Sequence, residues 1–315
     1  MRMSPWKTLN GLSPRIIAHR GASGYRPEHT LDAYALAAAQ GADVLEPDLL
    51  LSRDGVLFAR HDLGLARSTD IATRPEFAAR AREIAGVRDW WIGDFDASEL
   101  DTLRAIQPLP ERGTQYDGHF MLPRFSMVLD LARAISAEQR RTIAIYPELK
   151  NPGYFISMGL DPVTALHAEL ESHALVGPAS PVWIQCFDHA VLHAAKRRCG
   201  NPCFALLETA PSDSAERDAL LHNLAAWAQG VAPSKFILWD NAGKDTGFVS
   251  AAHARGLQVH AWTFRDDRAS APFATLREEL EAAFTLGVDA LFCDFPDTAI
   301  ATRTAFAENF AFVDL

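Results

Sequence analysis

The sequence predicts an α/β fold: a (β/α)8 TIM barrel spanning residues 1–315, with a cap or subdomain inserted after its second strand. Three observations carry this. Short apolar runs alternate with helical stretches, and the alternation repeats eight times. Polar residues fall again and again at the C-terminal ends of those runs, which is where barrels carry their sites. A chain of 315 residues, 48% of them hydrophobic, can bury one large core, and α/β barrels of this length are ordinarily single domains. Alternation alone also admits a doubly wound open sheet.

The first apolar run, 15–18, lies between Pro14 and Gly21 and reads as a buried parallel strand. Thr30 is placed to cap an Ala- and Leu-rich helix through Gln40, and Gly41 to close it. A strand over 43–51 follows. Asp54-Gly55 then suggests a two-residue hairpin turn, which would set Arg53 against Val56 and His61 against Asp48. Residues 63–122 show no sustained strand pattern beyond one helical stretch at 98–106. That is too long for an ordinary loop and reads as the insertion, with Trp90-Trp91 in its private core. The alternation resumes at Phe125. Strands are expected at 141–148, 182–186, 203–207, 236–239, 257–263 and 290–293, and helices at 162–173, 189–198, 213–229, 249–255, 276–286 and 297–306.

A formal net charge of −10 and a pI near 5.5 argue against a sequence-independent hold on nucleic acid or on an anionic membrane. No apolar run approaches the roughly 20 residues of a membrane span. The N-terminal stretch has no apolar core of a signal peptide, so the chain as written is expected in the cytoplasm, or in the periplasm if a leader has been removed. Cys186 and Cys293 sit in strand-like runs as small hydrophobes, while Cys199 and Cys203 are close enough in sequence for a minor disulfide.

Glu46 and Asp48 are two apart on one strand and share a face, and Glu148 ends another. An all-oxygen set of this kind suits a hard cation; the plain alternative is ion pairing with Arg20 and Lys150. His19 and His61 are the natural proton-transfer pair because imidazole titrates near neutrality. Arg20 offers a fork and Lys150 a point charge for phosphate oxygens. Phe187 and Trp262 could wall a small carbon skeleton. His29, His167, His189 and His260 read as structural.

His19-Arg20-Gly21, Pro27-Glu28-His29-Thr30, Glu46-x-Asp48, Asp54-Gly55 and His61-Asp62 together resemble the glycerophosphodiester phosphodiesterase family, in its periplasmic bacterial branch. The resemblance continues at Tyr146-Pro147-Glu148-Leu149-Lys150, at Gln185-Cys186-Phe187-Asp188 and at Cys293-Asp294-Phe295-Pro296-Asp297, and is weakest over 63–122. It implies the same barrel and one divalent cation, Ca2+ or Mg2+, on Glu46, Asp48 and Glu148. It also implies His19 and His61 as catalytic residues, with Arg20, Lys150, Gln185, Phe187 and Trp262 around the substrate. The implied reaction releases sn-glycerol 3-phosphate and an alcohol from a glycerophosphodiester, through attack by the substrate's own 2-hydroxyl. A lysophospholipase D-like enzyme or an inactive phosphodiester-binding protein are the alternatives.

Overall fold

The computed structural model describes residues 4–211 and 213–313; the first three residues of the N-terminal stretch lie outside it. Chain order begins with β1 (Arg15–His19), β2 (Val44–Glu46), β3 (Asp48–Leu51) and β4 (Leu57–Ala59). A separate antiparallel pair follows, β5 (Arg82–Ile84) and β6 (Val87–Asp89). Then come β7 (Ala144–Ile145), β8 (Glu148–Leu149), β9 (Ile184–Cys186), β10 (Cys203–Leu207), β11 (Gly230–Pro233), β12 (Gln258–Phe264) and β13 (Ala290–Cys293).

Parallel pairing runs from β3 through β8, β9, β10, β11, β12 and β13 to β1, and on to β2 and β7. A parallel bridge from Ile145 to Val182, just ahead of β9, closes the ring. Pro47 separates β2 from β3 and Pro147 separates β7 from β8, each proline removing one ladder donor. With the halves rejoined, eight parallel positions stand around the axis, and β4 pairs antiparallel outside them. The expected strands 43–51 and 141–148 are therefore each split in two. The helix expected from Thr30 runs over Leu31–Ala39, and the Thr30 side chain accepts from the Ala33 N–H at 3.1 Å.

Three expectations fail for physical reasons. The strand expected at 236–239 is absent; Lys235–Ile237 is a turn of 3-10 helix, and the barrel position belongs to β11. Phe236, the bulkiest residue of that stretch after Trp239, is 65% exposed, so its size does not mark a buried strand. The true strand is small because it has no room: a Cβ on Gly230 would lie 2.4 Å from the Gln258 carbonyl oxygen and 2.7 Å from the Phe204 ring. The hairpin turn is one residue longer than expected. Ser52 faces Val56, so Asp48 lies opposite Arg60, whose N–H donates to the Asp48 carbonyl at 2.8 Å. Gly55 supplies the left-handed residue of that longer turn, at φ 82°. Finally, 63–122 does contain strands, the hairpin β5–β6, and its helix shrinks to Ala97–Leu100. Cys199 and Cys203 are free thiols, buried like Cys186 and Cys293.

The core divides in two. Ile16, Ala18, Ala205, Leu207, Leu291 and Cys293 face outward into the layer of helices, where they join one large apolar cluster. Ile17, Val44, Ala144, Tyr146, Phe204, Leu206, Ala232, Ala290 and Phe292 point inward and fill the barrel. The alternation along each strand is the period of two that barrel walls require. His260 belongs to this plug: its ring stacks on Phe204 at 4.1 Å and its Nδ1 lies 3.2 Å from the Tyr146 hydroxyl.

Gly230→Ala is expected to cost about 1–3 kcal/mol, the usual penalty for overpacking a tight interior. Urea unfolding of the variant beside the parent checks it. Equal midpoints would mean that the strand can shift to admit a methyl group.

Candidate active site

The site is the next layer of the same inward series. Two residues beyond Ile17 comes His19; beyond Val44 come Glu46 and then Asp48. Beyond Tyr146 come Glu148 and Lys150, beyond Phe292 comes Asp294, and beyond His260 comes Trp262. Of the ten residues expected from sequence, all but Asp48 line a cavity of about 230 Å³ at the C-terminal ends of the strands. Asp48, 1% exposed, does not line it but lies next to Glu46 and Glu148, which do. Leu206, Phe292 and the Phe187–Trp262 pair, with ring centroids 5.7 Å apart, supply the apolar wall.

One carboxylate oxygen from each of Glu46, Asp48 and Glu148 falls within 4.8 Å of the others, and all three residues are buried. The expected ion pairs are present: Arg20 Nε lies 3.1 Å from Asp48 Oδ2, and Lys150 Nζ lies 3.0 Å from Glu148 Oε1. They do not neutralise the cluster. Among the described residues Glu46 takes only neutral donors, the Arg20 backbone N–H at 2.9 Å and Gln185 Nε2 at 3.1 Å. Burial, then the charges of Asp48 and Glu148, push the Glu46 carboxyl well above its ordinary range. Burial and Asp48 push Glu148 up to about 8. Burial acts the same way on Asp48, but Lys150 and Arg20 outweigh it and hold that group low. The Gln185 Oε1 is buried without a hydrogen-bond partner, so a fourth oxygen stands unused beside Glu46. Three crowded carboxylates and an orphaned amide oxygen fit a hard divalent cation better than they fit two ion pairs.

Each histidine is oriented by its own carboxylate. His19 Nδ1 lies 2.6 Å from Asp294 Oδ1, and His61 Nδ1 lies 2.5 Å from Asp62 Oδ1. A carboxylate acceptor fixes the proton on Nδ1 and leaves Nε2 for a substrate. Asp294 Oδ2 in turn accepts from Arg112 at 2.7 Å and Arg265 at 2.9 Å, and Asp62 Oδ2 meets Arg67 at 3.0 Å. Burial and then the Arg20 charge push His19 down to about 4, against the opposing pull of Asp294. Arg20 itself has left-handed backbone, φ 59°. Its Nη1 is held by Glu28 at 2.8 Å, while Nη2 makes no hydrogen bond among the described residues.

Sequence reasoning passed over several of these partners. Asp62 adjoins His61 and Asp294 directly follows β13, so both were visible, but nothing in the sequence pairs them with an imidazole. His29 is structural as expected, with a further consequence: wholly buried, it links the Tyr34 hydroxyl at 2.8 Å to Asp48 Oδ2 at 2.9 Å. Arg112 comes from the insertion, where no periodicity marked it. His189 is structural, its Nε2 lying 3.0 Å from the Leu206 carbonyl oxygen.

Residues 19–298, from the first of these histidines to just past Asp294, match the model of the glycerophosphoryl diester phosphodiesterase family. The chain belongs to that family. A glycerophosphodiester phosphodiesterase of Arabidopsis thaliana is 32% identical over 92% of this chain and 86% of its own length. One from Haemophilus influenzae is 27% identical over 90% and 88%. Among solved structures, an Oleispira antarctica phosphodiesterase in complex with the product sn-glycerol-3-phosphate superposes with a TM-score of 0.67 at 23% identity, covering 95% of this chain and all of that one. A glycerophosphodiester phosphodiesterase from Agrobacterium tumefaciens gives 0.63 at 22%, covering 91% and 99%. These likenesses carry the barrel fold of the glycerophosphoryl diester phosphodiesterase family onto the eight-position ring described above.

The raised Glu148 gives a pH test with no turnover in it. Unfolded, this carboxyl ionises near 4.5; folded and metal-free, it holds its proton to about 8. The metal-free fold therefore loses stability as pH rises through that window. Glu148→Gln is expected to show a smaller loss, the remainder coming from the raised Glu46, and millimolar Ca2+ or Mg2+ to restore the parent more than the variant. Melting curves between pH 5 and 8 decide, and parallel curves for the two proteins would reject the assignment.

Proposed function

We propose that the chain hydrolyses glycerophosphodiesters to sn-glycerol 3-phosphate and an alcohol, with one divalent cation held by Glu46, Asp48 and Glu148. The observation that supports it best is the pair of carboxylate-oriented histidines converging on one cavity beside three crowded carboxylates, Arg20 and Lys150. When bound, the cation supplies positive charge against the phosphate and its developing oxyanion. Lys150 and the free Nη2 of Arg20 hold the other phosphate oxygens and stabilise charge in the transition state.

His19, neutral at pH 7, takes the proton of the substrate's 2-hydroxyl. That oxygen attacks phosphorus, and the bond to the leaving alcohol breaks as His61, oriented by Asp62, gives the alcohol its proton. A five-membered cyclic phosphate results. The histidines then exchange roles: His61 takes a proton from water, and His19 returns one to the 2-oxygen as the ring opens. The internal hydroxyl is next to phosphorus already, so the first step gains from proximity. Thr263 is the one Ser, Thr or Cys among the described residues that lines this cavity, and neither His19 nor His61 hydrogen-bonds to it. A purely binding protein would have no need of two oriented imidazoles.

Release of glycerol phosphate from glycerophosphocholine should require added metal and vanish with a chelator; full turnover after exhaustive metal removal would refute the cation's role. His19→Ala and His61→Ala are each expected to lower kcat by about 10²–10⁴-fold, the range for a lost general acid or base, with little change in melting temperature. Near-normal turnover in either variant would return that histidine to a structural role. A diester whose glycerol lacks the 2-hydroxyl should be essentially inert although it binds. Cleavage at a comparable rate would mean that water attacks directly.

A further inference from the structure

A second cavity, of about 640 Å³, opens beside the first and shares His61, Glu148, Lys150 and Phe187 with it. Its size lies in the ordinary range for small-molecule sites, about 300–1,000 Å³. Its outer wall comes from Asp62 and, within the segment 63–122, from Arg67, Asp89 and Trp91. His61 stands at the junction. In the mechanism above it is the acid that protonates the departing alcohol, so the alcohol must lie on its side of the phosphate.

The charges of this wall do not cancel. Lys150 is committed to the phosphate in the mechanism above, and Arg67 is matched by Asp62 at 3.0 Å. Asp89 and Asp188, which also line the cavity, make no ion pair among the described residues. Each spends one oxygen on backbone. Asp89 Oδ1 accepts from the Ala66 and Trp90 N–H groups at 3.0 and 2.7 Å, and Asp188 Oδ1 accepts from Ala190 and Val191 at 3.0 Å. The second oxygen of each carries no hydrogen bond among the described residues. Gly64 makes room for the first of them: a Cβ there would lie 2.3 Å from Asp89 Oδ2. Two aromatic rings complete the wall. Trp91 has already given its N–H to the Arg82 carbonyl at 2.9 Å, so what remains to it is its π face. Phe187, 43% exposed, has Lys150 Nζ 5.9 Å from its ring centre.

We infer that this outer cavity receives the leaving alcohol and selects one bearing a positive charge, a quaternary or primary ammonium group. Free carboxylate oxygens beside aromatic faces are what such a group seeks, by charge attraction and by cation–π contact. A neutral polyol finds no matching charge, and an anionic group meets two carboxylates. The inference rests on the phosphodiesterase reading and adds the class of the alcohol to it.

The test measures kcat/KM on the full chain with saturating metal, using glycerophosphocholine, glycerophosphoethanolamine and the neutral glycerophosphoglycerol. The two cationic diesters should be preferred, and the preference should shrink as salt is raised. Asp89→Asn keeps an oxygen for the two backbone N–H groups and loses only the charge. It should lower the cationic-to-neutral ratio by about two- to fivefold, the worth of one exposed charge pair. Asp188→Asn, still a good helix cap, should do the same. The neutral diester reports within each variant whether the fold and the chemistry survive. A ratio unchanged in both variants, or a parent that prefers the neutral diester, overturns the inference and leaves the phosphodiesterase reading intact. A parent that cleaves none of the three overturns both.

Discussion

Closure of the ring decides which residues can meet at the axis. Once eight parallel positions close, every second residue of each strand must point inward, and the side chains there form layers. In this chain the lower layers are apolar and aromatic, built around Tyr146, Phe204, His260 and Phe292. The layer above them is almost wholly polar. Charged groups are thereby set on an apolar floor, out of water, where mutual repulsion is strong and neutralising partners are few. Burial heads the causes that push Glu46 and Glu148 up and His19 down. The unusual proton affinities of the site are consequences of where the plug ends.

The same alternation explains what could be read from sequence. Glu46 with Asp48, and Glu148 with Lys150, keep the two-residue spacing across or beside Pro47 and Pro147, so their convergence survived strands that turned out to be broken. Apolar content was the weaker guide. β11 is Gly-Val-Ala-Pro because its neighbours leave no space, and a reading that rewarded bulk passed over it for exposed Phe236. One extra residue in the turn at 53–55 moved the partner of Asp48 from His61 to Arg60, a slip that no residue count could detect. His61 reaches the cavity regardless, because it lies past the last ladder residue of β4 and is free of the pairing pattern.

The insertion shows the limit of periodicity as a signal. Residues 63–122 hold only short elements, yet Ile71, Phe77, Ile92, Phe95, Leu100 and Leu103 are buried and belong to the same apolar cluster as the helix layer. Trp90 and Trp91 each donate their indole N–H to backbone within the segment, and the Arg80 guanidinium stacks on Phe95 at 3.8 Å. Side-chain-to-backbone bonds and one shared core hold it, and neither leaves a repeating pattern in the chain. What it contributes to the site is correspondingly specific: Arg112 on Asp294, and the wall of the outer cavity.

Arg112 also bears on why two similar histidine–carboxylate pairs need not behave alike. Asp62 is shared by His61 and one arginine, and the His61 side chain is 29% exposed. Asp294 is shared by His19, Arg112 and Arg265, and its carboxyl is held far below its ordinary range by those neighbours, against the effect of burial. A carboxylate whose charge is divided among three partners keeps its hydrogen bond to Nδ1, and so keeps the ring in place, but offers less to stabilise an imidazolium. Arg20, on the adjoining residue, adds a further positive charge close by. His19 is thus oriented without being charged, the state a proton acceptor needs at the start of the reaction. In the mechanism proposed above the donor is therefore His61, at the wetter mouth, and that proposed order of acid and base rests on how many cations each aspartate has to serve.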